Sequence, residues 1–179
     1  MESELNLITK IASSEEDCKI NNLLRLINSD NLRESFYMLK EGKAPGIDGV
    51  TMSDYEENLS SNISDLLSRM KQWSYRPQPV KRVYIPKGDG RERPLGIPAI
   101  EDKMVQMCMT RILEAIYEVE FIDNSYGFRP DRNCHQALDK IDKTIMTKPV
   151  NHVIDADIKG FFDNVSHEWL EKFLKHRLD

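Results

Sequence analysis

Cysteine is scarce in this chain. Only Cys18, Cys108 and Cys134 occur in 179 residues, far apart and odd in number. No CxxC pair exists, so reduced thiols are expected, with neither disulfides nor a zinc site. No apolar run approaches the ~20 residues of a membrane span. The N-terminus, Met1-Glu2-Ser3-Glu4, is acidic and lacks the basic and apolar regions of a secretory leader. A cytoplasmic protein with no membrane partner is the expectation. Repeats and low-complexity tracts are missing. The histidines, His135, His152, His167 and His176, form no helix-spaced pair and are expected at the surface or in structural roles. Nowhere do two aspartates stand side by side.

What is present suits a soluble globular protein with a large charged surface, since 40% of residues are apolar and 31% charged. The length allows one domain, or one domain and part of another. Net charge is −5, which argues against a surface coated with nucleic acid. The distribution says more. Residues 69–93 hold eight Lys or Arg (Arg69, Lys71, Arg76, Lys81, Arg82, Lys87, Arg91, Arg93) against Asp89 and Glu92. That stretch carries +6 and leaves −11 elsewhere. One basic segment on an acidic protein is a local footprint for a polyanion.

Apolar periodicity predicts helix over 18–40, with a break at Asn28-Ser29-Asp30-Asn31. Gly42, Pro45, Gly46 and Gly49 then mark a tight loop. Thr51 or Ser53 can cap a helix over 53–72. Arg82 to Ile85 alternate as in a strand, Gly88-Asp89-Gly90 is a turn signal, and Arg93 to Ile97 return, giving a β-hairpin. A broadly apolar helix over 101–120 belongs in a core, with its methionines as fillers. Asn124 to Pro130 is a loop, and Asn133 caps a helix reaching about Met146. The apolar run Val153-Ile154 reads as a strand ending on Asp155 and Asp157, followed by Phe161, Phe162 and Asp163. A last amphipathic helix carries Trp169, Leu170, Phe173 and Leu174. Carboxylates at a strand end are hard ligands of the kind that hold divalent metals against a triphosphate.

These motifs, in this order, resemble the N-terminal part of a bacterial group II intron reverse transcriptase, or maturase. The resemblance is carried by Ala44 to Val50, Tyr75-Arg76-Pro77, Ile85-Pro86-Lys87 with Arg93 to Pro98, Ser125-Tyr126-Gly127-Phe128-Arg129-Pro130, and Asp155 to Val165. It covers about residues 35–170. It implies an α+β fold: reverse-transcriptase fingers with a partial palm, helix-rich, with a β-hairpin and short palm strands. Residues 1–150 would be the N-terminal extension and fingers, and 151–179 the start of the palm.

The resemblance also implies roles. Asp157 matches the first catalytic aspartate and a Mg2+ ligand, and the Ile158 carbonyl is a second ligand. Asp155, on the same strand face, is a further ligand or a supporting residue. Asp163 reads as helix entry or a structural acceptor. Phe162 matches the ring that selects deoxynucleotides, leaving Phe161 for the core. Lys87 and Arg93 resemble the pair that grips the incoming dNTP. Lys81 joins them or touches template. Arg76, Arg82 and Arg91 are assigned to RNA backbone, and Arg69 and Lys71 to ordinary solvated helix charge. Lys43 and Gly46 belong to a loop that covers template RNA. Tyr126, Phe128 and Arg129 are placed near nucleotide or template base, with structural packing as the other reading of the aromatics; Arg129 is counted among the RNA-binding residues.

The expected function is that of a fragment of an RNA-directed DNA polymerase that is also a maturase. It would bind group II intron RNA to assist splicing and copy RNA into DNA for intron mobility. Its partners would be intron RNA, template-primer and dNTPs, with Mg2+ as cofactor. A retron, diversity-generating or CRISPR-associated reverse transcriptase is the alternative. The second palm motif, Tyr-x-Asp-Asp, does not occur, and two-metal chemistry needs more carboxylates than one motif offers. The chain alone is therefore expected to be inactive. A palm cut at this point exposes a sheet edge and apolar surface, so a homodimer is one expected form.

Overall fold

In the computed structural model, residues 2–14, 18–86, 88 and 90–179 are described. They form seven α-helices and one two-stranded antiparallel sheet. The helices are α1 (Glu2–Ser14), α2 (Ser29–Tyr37), α3 (Met52–Glu56), α4 (Leu59–Lys71), α5 (Ile100–Tyr117), α6 (Cys134–Thr147) and α7 (His167–Arg177). The strands are β1 (Lys81–Pro86) and β2 (Glu92–Ile97). Among the described residues no helix is long and apolar enough to cross a membrane. The chain forms two compact units, residues 1–7 with 22–114, and residues 8–21 with 115–179.

In the first unit, the helix predicted over 18–40 is broken where the asparagines stand. A one-turn 3-10 helix covers Leu23–Leu26, and Asn28 then caps α2 by accepting from the Asn31 N–H at 3.0 Å. Asn31 is itself buried, and its amide donates to the Leu26 carbonyl at 2.6 Å. The segment predicted over 53–72 is likewise two helices. Thr51 and Asp54 form a reciprocal capping box at α3, which ends at Glu56, and α4 begins at Leu59. Leu32 and Phe36 of α2 are buried, as are Leu59, Ile63 and Leu66 of α4 and Met104, Val105, Cys108 and Ile112 of α5. Burying each such side chain stabilises by about 1.5–3 kcal/mol.

Two carboxylates in the first turn of α5 tie down the chain that enters the hairpin. Asp102 is buried and accepts from the Tyr75 hydroxyl at 2.5 Å and the Gln78 N–H at 2.9 Å. Glu101 accepts from the Tyr55 hydroxyl at 3.3 Å and from Arg69 at 2.7 Å. Burial, and then the hydrogen bond to Asp102, push the Tyr75 hydroxyl pKa up. Arg69 also meets Asp65 at 2.7 Å, so it is a structural crosslink and not the solvated helix charge expected of it.

In the second unit, Ile8, Ala12, Ile20 and Ile116 are buried. Arg177 is buried with them; it donates to the Ala12 carbonyl and meets Glu120, each at 3.0 Å. α6 starts at the predicted cap, where Asn133 and Gln136 form a capping box. It buries none of its residues, and Leu138, Ile141, Ile145 and Met146 are exposed. Ser166 caps α7, whose Trp169, Leu170 and Phe173 are also exposed.

The strand expected to end on Asp155 and Asp157 is not formed. Residues 151–158 have no regular structure and are exposed, Ile154 to 90%. A strand exists only through a ladder to a neighbour. The sheet of the described residues is the β1–β2 hairpin of the other unit. An apolar run without a pairing partner stays an open segment.

Candidate functional site

The hairpin presents the basic residues. Its register pairs Lys81 with Ile97, Val83 with Leu95 and Ile85 with Arg93. Side chains alternate between faces along a strand, and directly paired residues share a face. Lys81 and Arg93 therefore lie on one face with Val83, Ile85 and Leu95, while Arg82 lies on the other with Tyr84. Lys81, Arg82 and Arg93 are all exposed. Pro94 sits opposite Tyr84 without an N–H to give, which a two-stranded ribbon tolerates because both strands are edges. Arg91 is exposed just before β2. Lys87 lies outside the described residues.

The loop of residues 43–50 is held from within the same unit. Lys103 donates to the Ala44 carbonyl at 3.0 Å, and Asp48 accepts from the Val50 N–H at 3.2 Å. Lys43 is exposed. Gly46 is buried, and a Cβ there would stand 2.6 Å from the Ala99 Cα and backbone nitrogen. Its glycine is explained by this close packing. As a buried residue Gly46 does not fit its sequence-based assignment to direct contact with template RNA.

The Ser125–Pro130 loop shows a second departure. The Arg129 side chain is only 7% exposed. Nε and Nη2 donate to Glu118 at 2.9 and 2.6 Å, while Nη1 donates to the Ile122 and Ser125 carbonyls at 2.9 and 3.0 Å. Its guanidinium also lies over the Phe121 ring, 5.0 Å from the centroid. All three nitrogens are engaged, so Arg129 fastens its loop and is not placed to bind RNA. The sequence signal lay in Glu118, eleven positions upstream, in a stretch read only as helix. Phe128 is fully exposed with φ 57°, and Tyr126 packs beneath the Arg132 guanidinium.

Around the carboxylates, Asp157, Ile158, Phe161, Phe162 and Asp163 line one shallow concavity of about 570 Å3. Asp155 is not among its lining residues. The turn behind it is fastened by the Asn164 amide, which donates to the Gly160 carbonyl at 2.7 Å, and by the Asn164 N–H to the Phe161 carbonyl at 3.1 Å. Phe162 is 87% exposed and meets Phe161 edge to face, with centroids 5.4 Å apart. Phe161, expected in the core, is half-exposed as well, because no strand carries it into a packed sheet. Among the described residues no group of three or more His, Cys, Asp or Glu could hold a metal ion. The donor set here is two exposed carboxylates and a carbonyl. That is suitable chemistry for a hard cation but short of the ligand number a two-metal site requires.

Comparison with known proteins gives a consistent result. The family described as reverse transcriptase (RNA-dependent DNA polymerase) matches residues 85–177. Protein YkfC of Escherichia coli (strain K12) is 35% identical over 174 residues, covering 93% of this chain and 46% of that protein. The group II intron-encoded protein LtrA of Lactococcus lactis subsp. cremoris is 40% identical over 137 residues, 75% of this chain and 22% of that protein. A 91 kDa protein in the cob intron of Schizosaccharomyces pombe is 32% identical over 166 residues, 91% of this chain and 19% of its own length. The chain thus spans less than half the length of these curated relatives.

Proposed function

Because the chain belongs to the reverse transcriptase family, we propose that it supplies the fingers (1–150) and the opening of the palm (151–179) of an RNA-directed DNA polymerase that doubles as a group II intron maturase. The likeness to a group II intron-encoded protein over three quarters of the chain carries this reading. The hairpin supports it independently. One of its faces presents Lys81 and Arg93 together, near enough along the ribbon to meet one polyanion. Arg82 and Arg91 are assigned to the RNA backbone, with Lys43 on the 43–50 loop and Arg76 at the hairpin's entry.

Asp157 is the catalytic carboxylate of this reading, with the Ile158 carbonyl beside it and Asp155 in support. Mg2+, when bound, would lower the pKa of the primer hydroxyl and offset triphosphate charge. The described residues do not complete such a site, so no catalytic step is assigned to this chain alone, and the isolated polypeptide is proposed not to polymerise. Phe162 stands exposed on the same concavity as Asp157, where a ring can press against a sugar and exclude a 2′-hydroxyl.

The test is kinetic. In a longer form of the protein that carries the remaining palm, Arg93→Ala and Lys87→Ala should each raise the dNTP KM by about tenfold with smaller changes in kcat, as for loss of a charge-assisted contact. An unchanged KM for both would assign these residues to RNA and not to the triphosphate.

A further inference from the structure

The basic segment contains an aromatic feature that the polymerase reading leaves unused. α4 ends at Lys71, and the position two beyond it is Trp73, with φ 57°. This left-handed position after a helix is where glycine or asparagine is favoured, because a Cβ is strained there. The backbone nevertheless holds it: the Trp73 N–H donates to the Met70 carbonyl at 3.0 Å and the Ser74 N–H to the Arg69 carbonyl at 2.9 Å. The indole is 78% exposed. A strained, exposed tryptophan gives the fold little, which points to a function for the ring.

That ring walls a groove of about 520 Å3 lying wholly within the first unit. Ile27, Leu67, Met70 and Val105 make much of its apolar lining, and Tyr75 stands beside Trp73. Two lining residues are cationic, Lys71 and Arg76, and none is acidic. Arg76 is set in place by its own loop, with Nη1 donating to the Trp73 and Tyr75 carbonyls at 2.9 and 2.8 Å. Among the described residues its Nε and Nη2, and the Lys71 ammonium, have no hydrogen-bond partner.

We propose that this groove takes one unpaired base of an RNA, stacked on Trp73, with Arg76 and Lys71 on the flanking phosphates. This rests on the reading that the chain binds RNA, and adds a site apart from the hairpin face. A flat ring supplies stacking that any base can use. The two cations without an acid suit a phosphate, which fixes position, while the apolar floor takes the base. An amphipathic helix is the other candidate for an apolar groove, but it needs a row of anchors over two turns, and this groove has the size of a small-ligand pocket.

The experiment uses the full 179-residue chain carrying Trp169→Phe, so that Trp73 is the remaining tryptophan. Binding of a short oligoadenylate RNA is followed by anisotropy and by Trp73 fluorescence, beside an abasic oligomer of equal length and an acidic amphipathic peptide. Oligoadenylate should bind and quench Trp73, and the abasic strand should bind about tenfold more weakly without quenching. Trp73→Gly should weaken oligoadenylate binding about tenfold while raising Tm, since it removes the left-handed strain. Trp73→Phe should keep much of the affinity. Binding without quenching, equal for both strands and unchanged in Trp73→Gly, would overturn the stacking site and leave RNA binding standing. No binding of either strand would overturn both. Quenching by the peptide alone would overturn the site in favour of a protein partner.

Discussion

Replacing Asp157 by alanine should abolish primer extension in a form of the protein that carries the whole palm, while RNA affinity stays within about twofold. The side chain is exposed and lines the concavity shared with Ile158 and Phe162. It has no ion pair or hydrogen bond among those found in the described residues, so its loss removes little from the fold. Stability should change by less than about 0.5 kcal/mol, as for surface substitutions away from special features. The catalytic loss should be at least about 10³-fold, the scale of deleting a group that stabilises transition-state charge. Intact folding and RNA binding beside lost extension would separate a chemical role from a structural one. Extension comparable to the unaltered protein would remove Asp157 from the catalytic assignment.

The opposite pattern is expected at Gly46. Alanine there would put its Cβ 2.6 Å from the Ala99 backbone and 2.9 Å from the Pro98 carbonyl carbon. These are backbone atoms at the entry of α5, and they cannot swing aside as a side chain can. Gly46→Ala should therefore destabilise the chain by about 2–3 kcal/mol, the upper part of the range for overpacking. It should also loosen the 43–50 loop, with the Lys103 contact to the Ala44 carbonyl weakened in turn. Denaturant unfolding reads the first effect, and amide exchange of Ile47 and Asp48 the second. A midpoint unchanged from the unaltered chain would show that the loop does not pack here. Gly49 offers a contrast, since its φ of 71° makes any side chain strained although the space around it is open.

The elements written most clearly in the sequence were those set by local chemistry. The hairpin followed from alternation about Gly88-Asp89-Gly90, and it forms with the strands Lys81–Pro86 and Glu92–Ile97. The start of α6 followed from Asn133, and the break before α2 from the run of asparagines and aspartate at 28–31. The α+β, helix-rich character and the reverse transcriptase family were legible for the same reason: the motifs are short, local and ordered. What depended on distant partners was not legible. Residues 151–158 have strand composition, but a strand needs a neighbour that periodicity cannot supply. Arg69 looked like any charge on a helix surface until Glu101 came up beside it. Arg129 sits in a motif whose likeness suggested RNA, yet each of its three side-chain nitrogens is engaged within the protein. For the candidate site, sequence paired Lys87 with Arg93 and let Lys81 join them or touch template; that Lys81 and Arg93 share a face came only with the strand register, and the buried packing of Gly46 was missed.

The proposed function rests on RNA binding through the basic segment of residues 69–93 on an otherwise acidic chain. The most direct measurement titrates the 179-residue chain against a labelled group II intron RNA and an unrelated structured RNA across a salt series. Tight binding that prefers the intron RNA is expected, with log affinity falling linearly in log salt, and a shallower slope for Lys81→Ala with Arg82→Ala. Weak binding with no preference between the RNAs and no salt dependence would contradict it.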